Sequence, residues 1–238
     1  MTRRRPVAGG GVEVEVPPDR LVGWVGRFGA RNGGLAELST DGVTVRIRGG
    51  DGTLARLSVP FGPVAVDAGD DLGPGGTGPG FCGEHGEPVE ALLDHLSSLG
   101  RLGLILVRGG AHSVGIALDG VVTTSSTDRA YLQGRTAAGG WSQQRFARRR
   151  GNQRAASLAD AADTVVRVLV PVADTLGGLV LGGDRRALTD VLADPRLARL
   201  ATLPTRTFAD IPEPRRVVLD EVAARSLSVP IVIDPADA

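Results

Sequence analysis

The chain has 238 residues, 42% of them hydrophobic, which is enough for one large domain or two small domains with a buried core. Its 27 basic residues, all of them arginine, balance 27 acidic residues, so any affinity for a phosphate-rich partner has to come from local clusters. The single cysteine, Cys82, excludes an intrachain disulfide, and no stretch approaches the ~20 apolar residues of a membrane span. We therefore expect a monomeric cytoplasmic protein that does not bind membranes and needs no cofactor.

The first 60 residues are predicted to be rich in β-strands. Residues 12–16 and 43–48 alternate between apolar and polar side chains, as half-buried strands do. A glycine-rich turn then leads into residues 54–59, which predicts a hairpin. The glycine- and proline-rich residues 62–80 indicate a linker. We expect a β-rich N-terminal region over 1–80 and a second domain over 81–238.

The second domain is predicted to mix helices with strands. A helix over 87–98 precedes a hairpin whose strands cover 103–107 and 114–118. A long helix begins near Ser142 and ends at Pro171. The side chains predicted for its buried face follow at helical spacing: Leu158, Ala162, Val165 and Leu169.

Further elements follow this long helix. Residues 178–183 form a short buried strand, and Asp184 is placed to cap a helix over 185–193. Another helix covers 215–227, and the proline in the last strand, 229–233, places that strand at a sheet edge. The order of elements predicts an α/β fold in which a mixed β-sheet is layered with helices.

Residues 139–150 carry the most distinctive chemistry of the chain. The pair Gly139-Gly140 lets the backbone approach a target closely. Gln143 and Gln144 supply amides that donate and accept hydrogen bonds without titrating near neutral pH. Between Arg129 and Ala159 there are seven arginines and no Asp or Glu. A positive segment without acid–base groups suits a loop that enters RNA.

Three ordered segments resemble a known family. Residues 103–120 resemble its opening hairpin, Gly139-Gly140 with the arginine-rich run up to Arg150 resembles its Gly-Gly-Gln loop and following helix, and residues 178–183 resemble the next strand. Over residues 101–235 the chain is similar to the central, catalytic domain of eukaryotic and archaeal class-1 release factors. More narrowly, it resembles the bacterial branch of the Vms-like release factor (VLRF) family.

One departure from the termination factors narrows the resemblance. Trp141 follows Gly-Gly where those factors carry glutamine, and the glutamines of this chain stand at Gln143 and Gln144. A displaced glutamine is known in the VLRF family. The resemblance thus favours a VLRF protein, and Gln143, the nearer of the two to Gly-Gly, is the preferred catalytic residue.

The resemblance implies a reaction and a partner. The reaction is hydrolysis of the ester between a nascent peptide and tRNA, in the peptidyl-transferase centre of stalled ribosomes or large subunits, without stop-codon recognition. Gly139, Gly140, Gln143 and Gln144 are the implied catalytic residues. A second group is expected to contact tRNA or ribosomal RNA phosphates: Arg135, Trp141, Arg145, Arg148, Arg149, Arg150 and Arg154.

Simpler interpretations and two rival functions remain open. Gly139-Gly140 is also an ordinary turn before a helix, the arginine run is also a solvated helix face, and Trp141 also serves to pack the loop. One rival function is cleavage of the 3′ CCA end of tRNA, and the other is non-catalytic RNA or ribosome binding. Cys82, Glu84, His85 and Glu87 lack a second ligand pair, so we predict no metal site.

Overall fold

A computed structural model of the chain describes residues 4–7, 10–64, 87–129 and 141–236, and over 141–150 it describes the helical backbone. Two compact units result, one comprising Met1–Ser98 with Leu227–Ala238 and the other Leu99–Ser226. Their architecture is mixed α/β with two sheets, as predicted. The predicted boundary near residue 80 lies outside the described residues.

The elements are named here in chain order. The strands are β1 (Arg4–Pro6), β2 (Val12–Val16), β3 (Leu35–Thr40), β4 (Thr44–Gly49), β5 (Leu54–Ser58), β6 (Arg101–Arg108), β7 (Ala111–Leu118), β8 (Val121–Arg129), β9 (Leu176–Gly183), β10 (Thr205–Phe208) and β11 (Val229–Asp234). The helices are α1 (Pro18–Arg31), α2 (Glu87–Ser98), α3 (Trp141–Leu169), α4 (Arg185–Leu192) and α5 (Arg216–Arg225).

The first unit contains a six-stranded sheet in the order β1-β2-β11-β5-β4-β3. The predicted hairpin is confirmed as the antiparallel pair of β4 and β5. The prediction that the last strand lies at an edge is wrong, because β11 pairs with β2 on one side and β5 on the other. Pro230 is tolerated there because it pairs with Glu15 of β2, whereas the pairing with β5 begins one residue later, at Ile231.

The first unit also contains a helix that the period-two pattern of residues 12–60 does not predict. Helix α1 starts with a proline in its first turn, where no intrahelical N–H bond is lost. Leu21, Val25 and Phe28 are buried at spacings of four and three residues. This spacing is the sequence signal for the helix. Helix α2 has the predicted bounds, but it and β11 belong to the first unit, whereas the predicted division assigns both to the second domain.

The second unit contains a five-stranded mixed sheet in the order β10-β9-β6-β7-β8. The predicted hairpin is confirmed as β6 and β7, and β8 extends it as an antiparallel meander. Strand β9 runs parallel to both β6 and β10. The sequence analysis contains no prediction of β10, a short strand at the edge of the sheet.

Helices cover both faces of this second sheet. The buried stripe of α3 joins Ile105, Val107, Val114 and Ile116 in one core that also contains residues of α4. Helix α5 covers the opposite face, where a Cβ added at Gly115 would lie 2.9 Å from Cδ2 of Leu219. The second unit therefore has three layers, and α3 is the longest element of its outer layer, with 29 residues.

A glycine with positive φ directs the chain from β9 into α4. Gly183 has a φ of +105°, and a Cβ added there would lie 2.3 Å from the carbonyl oxygen of Val107. The next residue, Asp184, donates its backbone N–H to that same oxygen at 2.8 Å. Any side chain at position 183 would displace this junction.

We predict opposite effects for two glycine-to-alanine substitutions. Gly183→Ala should lower the free energy of unfolding by about 2 kcal/mol or more, because it adds backbone strain and a clash. Gly151→Ala is the control, because it lies within α3 with nothing within 4 Å of its added Cβ, and it should raise the free energy of unfolding by about 0.5–1 kcal/mol. Urea denaturation measures both, and a Gly183→Ala protein as stable as wild type would contradict the described junction.

Candidate functional site

The predicted catalytic segment coincides with the start of α3. Gly139, Gly140 and Arg135 lie outside the described residues. Trp141 is the first helical residue, and Gln143 and Gln144 stand in the first turn. One helix therefore carries both glutamines and the four arginines that follow them, Arg145, Arg148, Arg149 and Arg150.

The first turn of α3 offers backbone donors and a positive field. The backbone N–H groups of residues 141–144 have no acceptor four residues earlier within the helix. This end of the helix dipole is positive, and the first turn contains no acidic residue. Such an end attracts anionic groups, including phosphates and developing oxyanions.

The second half of α3 is fixed to the sheet. Ser157 donates a hydrogen bond from its Oγ to the carbonyl oxygen of Gly110, in the β6–β7 turn, at 3.1 Å. Thr164 contacts His112 of β7, and Arg167 donates to Oγ of Ser126 in β8 at 3.0 Å. Residues 154–156, just before Ser157, are exposed. The 16 helical residues before Ser157, about 24 Å of helix, therefore extend beyond the part of α3 that the sheet holds.

Arg154 is the member of the predicted RNA-binding set whose side chain the structure describes. Its Nη2 lies 3.6 Å from Oδ2 of Asp184, and both side chains are about half exposed. Asp184 also caps α4 as predicted, because its carboxylate accepts hydrogen bonds from the backbone N–H groups of Arg186 and Ala187. Arg154 thus connects α3 to the start of α4, which the sequence did not reveal.

A small cavity lies beside this ion pair. Its volume is about 70 Å³, and Val107, Gly110, Ser157 and Asp184 are among the residues that line it. Such a space admits a few water molecules and is too small for a nucleotide. We therefore assign no substrate to this cavity.

His112 is buried below α3, where the sequence placed it on a hairpin turn. It is the second residue of β7, is 1% exposed, and its Nε2 lies 3.1 Å from Oγ1 of Thr164. Burial lowers the pKa of His112 below its usual value of 6.5, and Arg167 acts in the same direction. The negative charges of Asp160 and Asp128 oppose the shift. His112 therefore holds α3 on the sheet as a neutral side chain.

Comparison with known proteins identifies the family. The model of the family described as "Actinobacteria/chloroflexi VLRF1 release factor" matches residues 100–232, which is more than half of the chain. The fold and the Gly-Gly segment define a release-factor domain, and the chain belongs to the Actinobacteria/chloroflexi VLRF1 release factor family. The family match includes the whole of α3 and the sheet that holds it.

The other comparisons add less. The solved crystal structure of an archaeal translation termination factor, aRF1, matches with 11% identity and a TM-score of 0.34, over 93% of this chain and 68% of that chain. No curated protein sequence is significantly similar to the chain. None of the described helices has both the length and the apolar character that crossing a bilayer requires. The family match is therefore the evidence for the class of protein.

We predict that protonation of His112 destabilises the protein in mild acid. The folded-state pKa lies below the unfolded-state value of 6.5, so the unfolded chain binds this proton more readily and the free energy of unfolding falls as the pH drops below 6.5. A His112→Gln protein should lose less stability between pH 7.5 and pH 5.5 than wild type. Urea denaturation at the two pH values measures the difference. Equal losses in the two proteins would contradict the prediction.

We predict that the cap formed by Asp184 matters more to stability than its ion pair. Asp184→Ala removes the cap of α4 and should cost about 1 kcal/mol of unfolding free energy. Arg154→Gln breaks only a half-exposed ion pair and should cost less than about 0.5 kcal/mol. Thermal and urea unfolding of the two variants test this order. An Arg154→Gln protein at least as destabilised as Asp184→Ala would reverse it.

Proposed function

We propose that this protein releases nascent peptides by hydrolysing the ester that joins them to tRNA, on stalled ribosomes or isolated large subunits. The observation that carries the proposal is the position of the Gly-Gly segment within the matched family domain. Gly139-Gly140 immediately precedes the first turn of α3, and that turn contains both glutamines. The family is one of release factors, and release of a peptide from tRNA requires this ester to break.

The chemistry needs a positioned donor more than a titrating group. Water attacks the ester carbonyl, negative charge develops on its oxygen, and the products are a free peptide carboxylate and the 3′ end of tRNA with its hydroxyl. A glutamine amide orders the water or donates to the developing charge, and backbone N–H groups of a helix start supply further donors. The positive end of the α3 dipole favours the same charge.

The two glutamines differ in their position around the helix. At about 100° per residue, Gln143 and Gln144 point to directions that differ by roughly a quarter of a turn, so a single reacting atom meets one of them. We assign the catalytic role to Gln143, the nearer to Gly-Gly. Gly139 and Gly140 would allow the backbone to fit against crowded RNA.

The arginines would bind RNA rather than react. Arg145, Arg148 and Arg149 follow one another at spacings of three and four residues, which places them on one side of α3. With Arg150 and Arg135 they would hold tRNA or ribosomal RNA phosphates, and Trp141 would pack the loop or stack on a base. The length of helix beyond Ser157 supports this arrangement, because it gives the segment reach.

We predict that the glutamines decide peptide release. Wild-type protein, Gln143→Ala, Gln144→Ala and the double variant would be added to large subunits that carry labelled peptidyl-tRNA. Gln143→Ala should slow release by about 100-fold or more, as the loss of a donor to developing charge does, while Gln144→Ala should change it little. Gln153→Ala, a glutamine ten residues further along α3, is the matched control and should release peptide at the wild-type rate.

The tRNA product distinguishes the rival functions. An intact CCA end with free peptide supports ester hydrolysis, and a shortened tRNA would indicate a nuclease instead. A double variant that releases peptide as fast as wild type would contradict the assignment of glutamine catalysis. Ribosome binding with no change in peptide or tRNA would leave a binding module.

A further inference from the structure

The outer face of α1, in the first unit, carries a stripe of arginines. Arg20, Trp24, Arg27 and Arg31 follow one another at spacings of four, three and four residues. At 3.6 residues per turn these positions fall within an arc of about 60°. The stripe is about 16 Å long, because the helix rises 1.5 Å per residue.

The three guanidinium groups of this stripe have no acidic partner within the described ranges of the chain. Arg20, Arg27 and Arg31 are all exposed and take part in none of the ion pairs there. The first unit provides its own comparison on its sheet. Each of three exposed arginines there pairs with a carboxylate: Arg46 with Asp41, Arg48 with Glu37 and Arg56 with Asp234.

Small residues border the stripe and leave it open to a close approach. A Cβ added at Gly26 would have nothing within 4 Å, and one added at Gly23 would meet only Nη1 of Arg27, at 3.2 Å. Glycine inside a helix costs about 0.5–1 kcal/mol relative to alanine, so two of them in one helix need a compensating reason. A large partner that approaches the helix backbone provides one.

We propose that this face of α1 binds the phosphate backbone of RNA, as a second RNA contact separate from the segment at the start of α3. Three unpaired guanidinium groups on a rigid helix match a row of phosphates, because each planar fork accepts two phosphate oxygens. Contacts of this kind fix position without reading sequence. Trp24 lies at the border of the stripe, half-buried, with its ring stacked on Phe28 at 5.4 Å between centroids.

The buried side of α1 argues against a membrane as the partner. An interfacial helix inserts its apolar face into the lipid. Here that face consists of Leu21, Val25 and Phe28, whose exposed fractions are 0%, 2% and 5% because the first unit covers them. Only the charged face of α1 is accessible, and lipid headgroups would have to be bound without any insertion.

Two triple variants with the same charge change test the proposal. The first replaces Arg20, Arg27 and Arg31 by glutamine, and the matched control replaces Arg46, Arg48 and Arg56 by glutamine. Glutamine is a good helix former, so α1 should persist, and circular dichroism checks this. Binding to purified ribosomes and to an RNA duplex of about 20 base pairs is measured from 50 to 300 mM salt.

The stripe variant should lose affinity for both RNA probes, and the slope of log affinity against log salt should fall by about two to three units. The control should change that slope by less than one unit, and replacing the same three stripe arginines by lysine should retain most of the binding. Equal losses in the two triple variants would reduce the effect to net charge and overturn the proposal. So would unchanged RNA binding, or a loss confined to vesicles of anionic lipid or to an acidic polypeptide.

This result is independent of the proposed hydrolysis. Single-turnover peptide release at saturating protein concentration reports on Gln143 and Gln144, whereas the binding slopes report on α1. A stripe variant with weaker binding and wild-type release at saturation would support the RNA contact, whether or not the glutamines prove to be catalytic.

Discussion

Burial of the second half of α3 against the five-stranded sheet is the interaction on which the second unit depends. Ala161, Val165 and Leu169 are at most 1% exposed and belong to the same core as the central strands. Ser157 marks the point where this attachment begins. The earlier part of the helix carries glutamines and arginines where a buried helix would carry apolar residues. One helix therefore combines a stable anchor with a polar end that is available to a partner.

The distribution of arginine follows a similar division of roles. The chain has no net charge, and many of its arginines pair with nearby carboxylates, as on the sheet of the first unit. The run from Arg145 to Arg150 and the stripe on α1 differ, because the sequence or the structure places no acid beside them. Since all basic residues are arginine, position distinguishes these groups and residue type does not.

Local signals in the sequence predicted most of the second unit. Asp184 before an apolar stretch identified the start of α4, and the spacing of Ala162, Val165 and Leu169 identified the buried side of α3. The Gly-Gly segment and the arginines after it identified the candidate site, since release-factor chemistry depends on a short contiguous motif. The catalytic and RNA-binding roles of these residues stay predictions.

Features that depend on distant parts of the chain were harder to predict. The place of β11 inside the first sheet depends on β2 and β5, which lie about 170 residues or more earlier. The burial of His112 depends on Thr164, and the partner of Arg154 lies 30 residues away. Helix α1 was missed for another reason: its helical spacing was visible, but the alternating strands on both sides favoured a β-rich interpretation.

The central claim is that water breaks the ester between peptide and tRNA. The most direct test is peptide release from large subunits in water enriched in ¹⁸O, with mass analysis of both products. The account predicts one ¹⁸O atom in the terminal carboxylate of the peptide, none in the tRNA, and loss of this product in Gln143→Ala. A peptide that stays attached to a tRNA fragment, or ¹⁸O found in a tRNA phosphate, would contradict it.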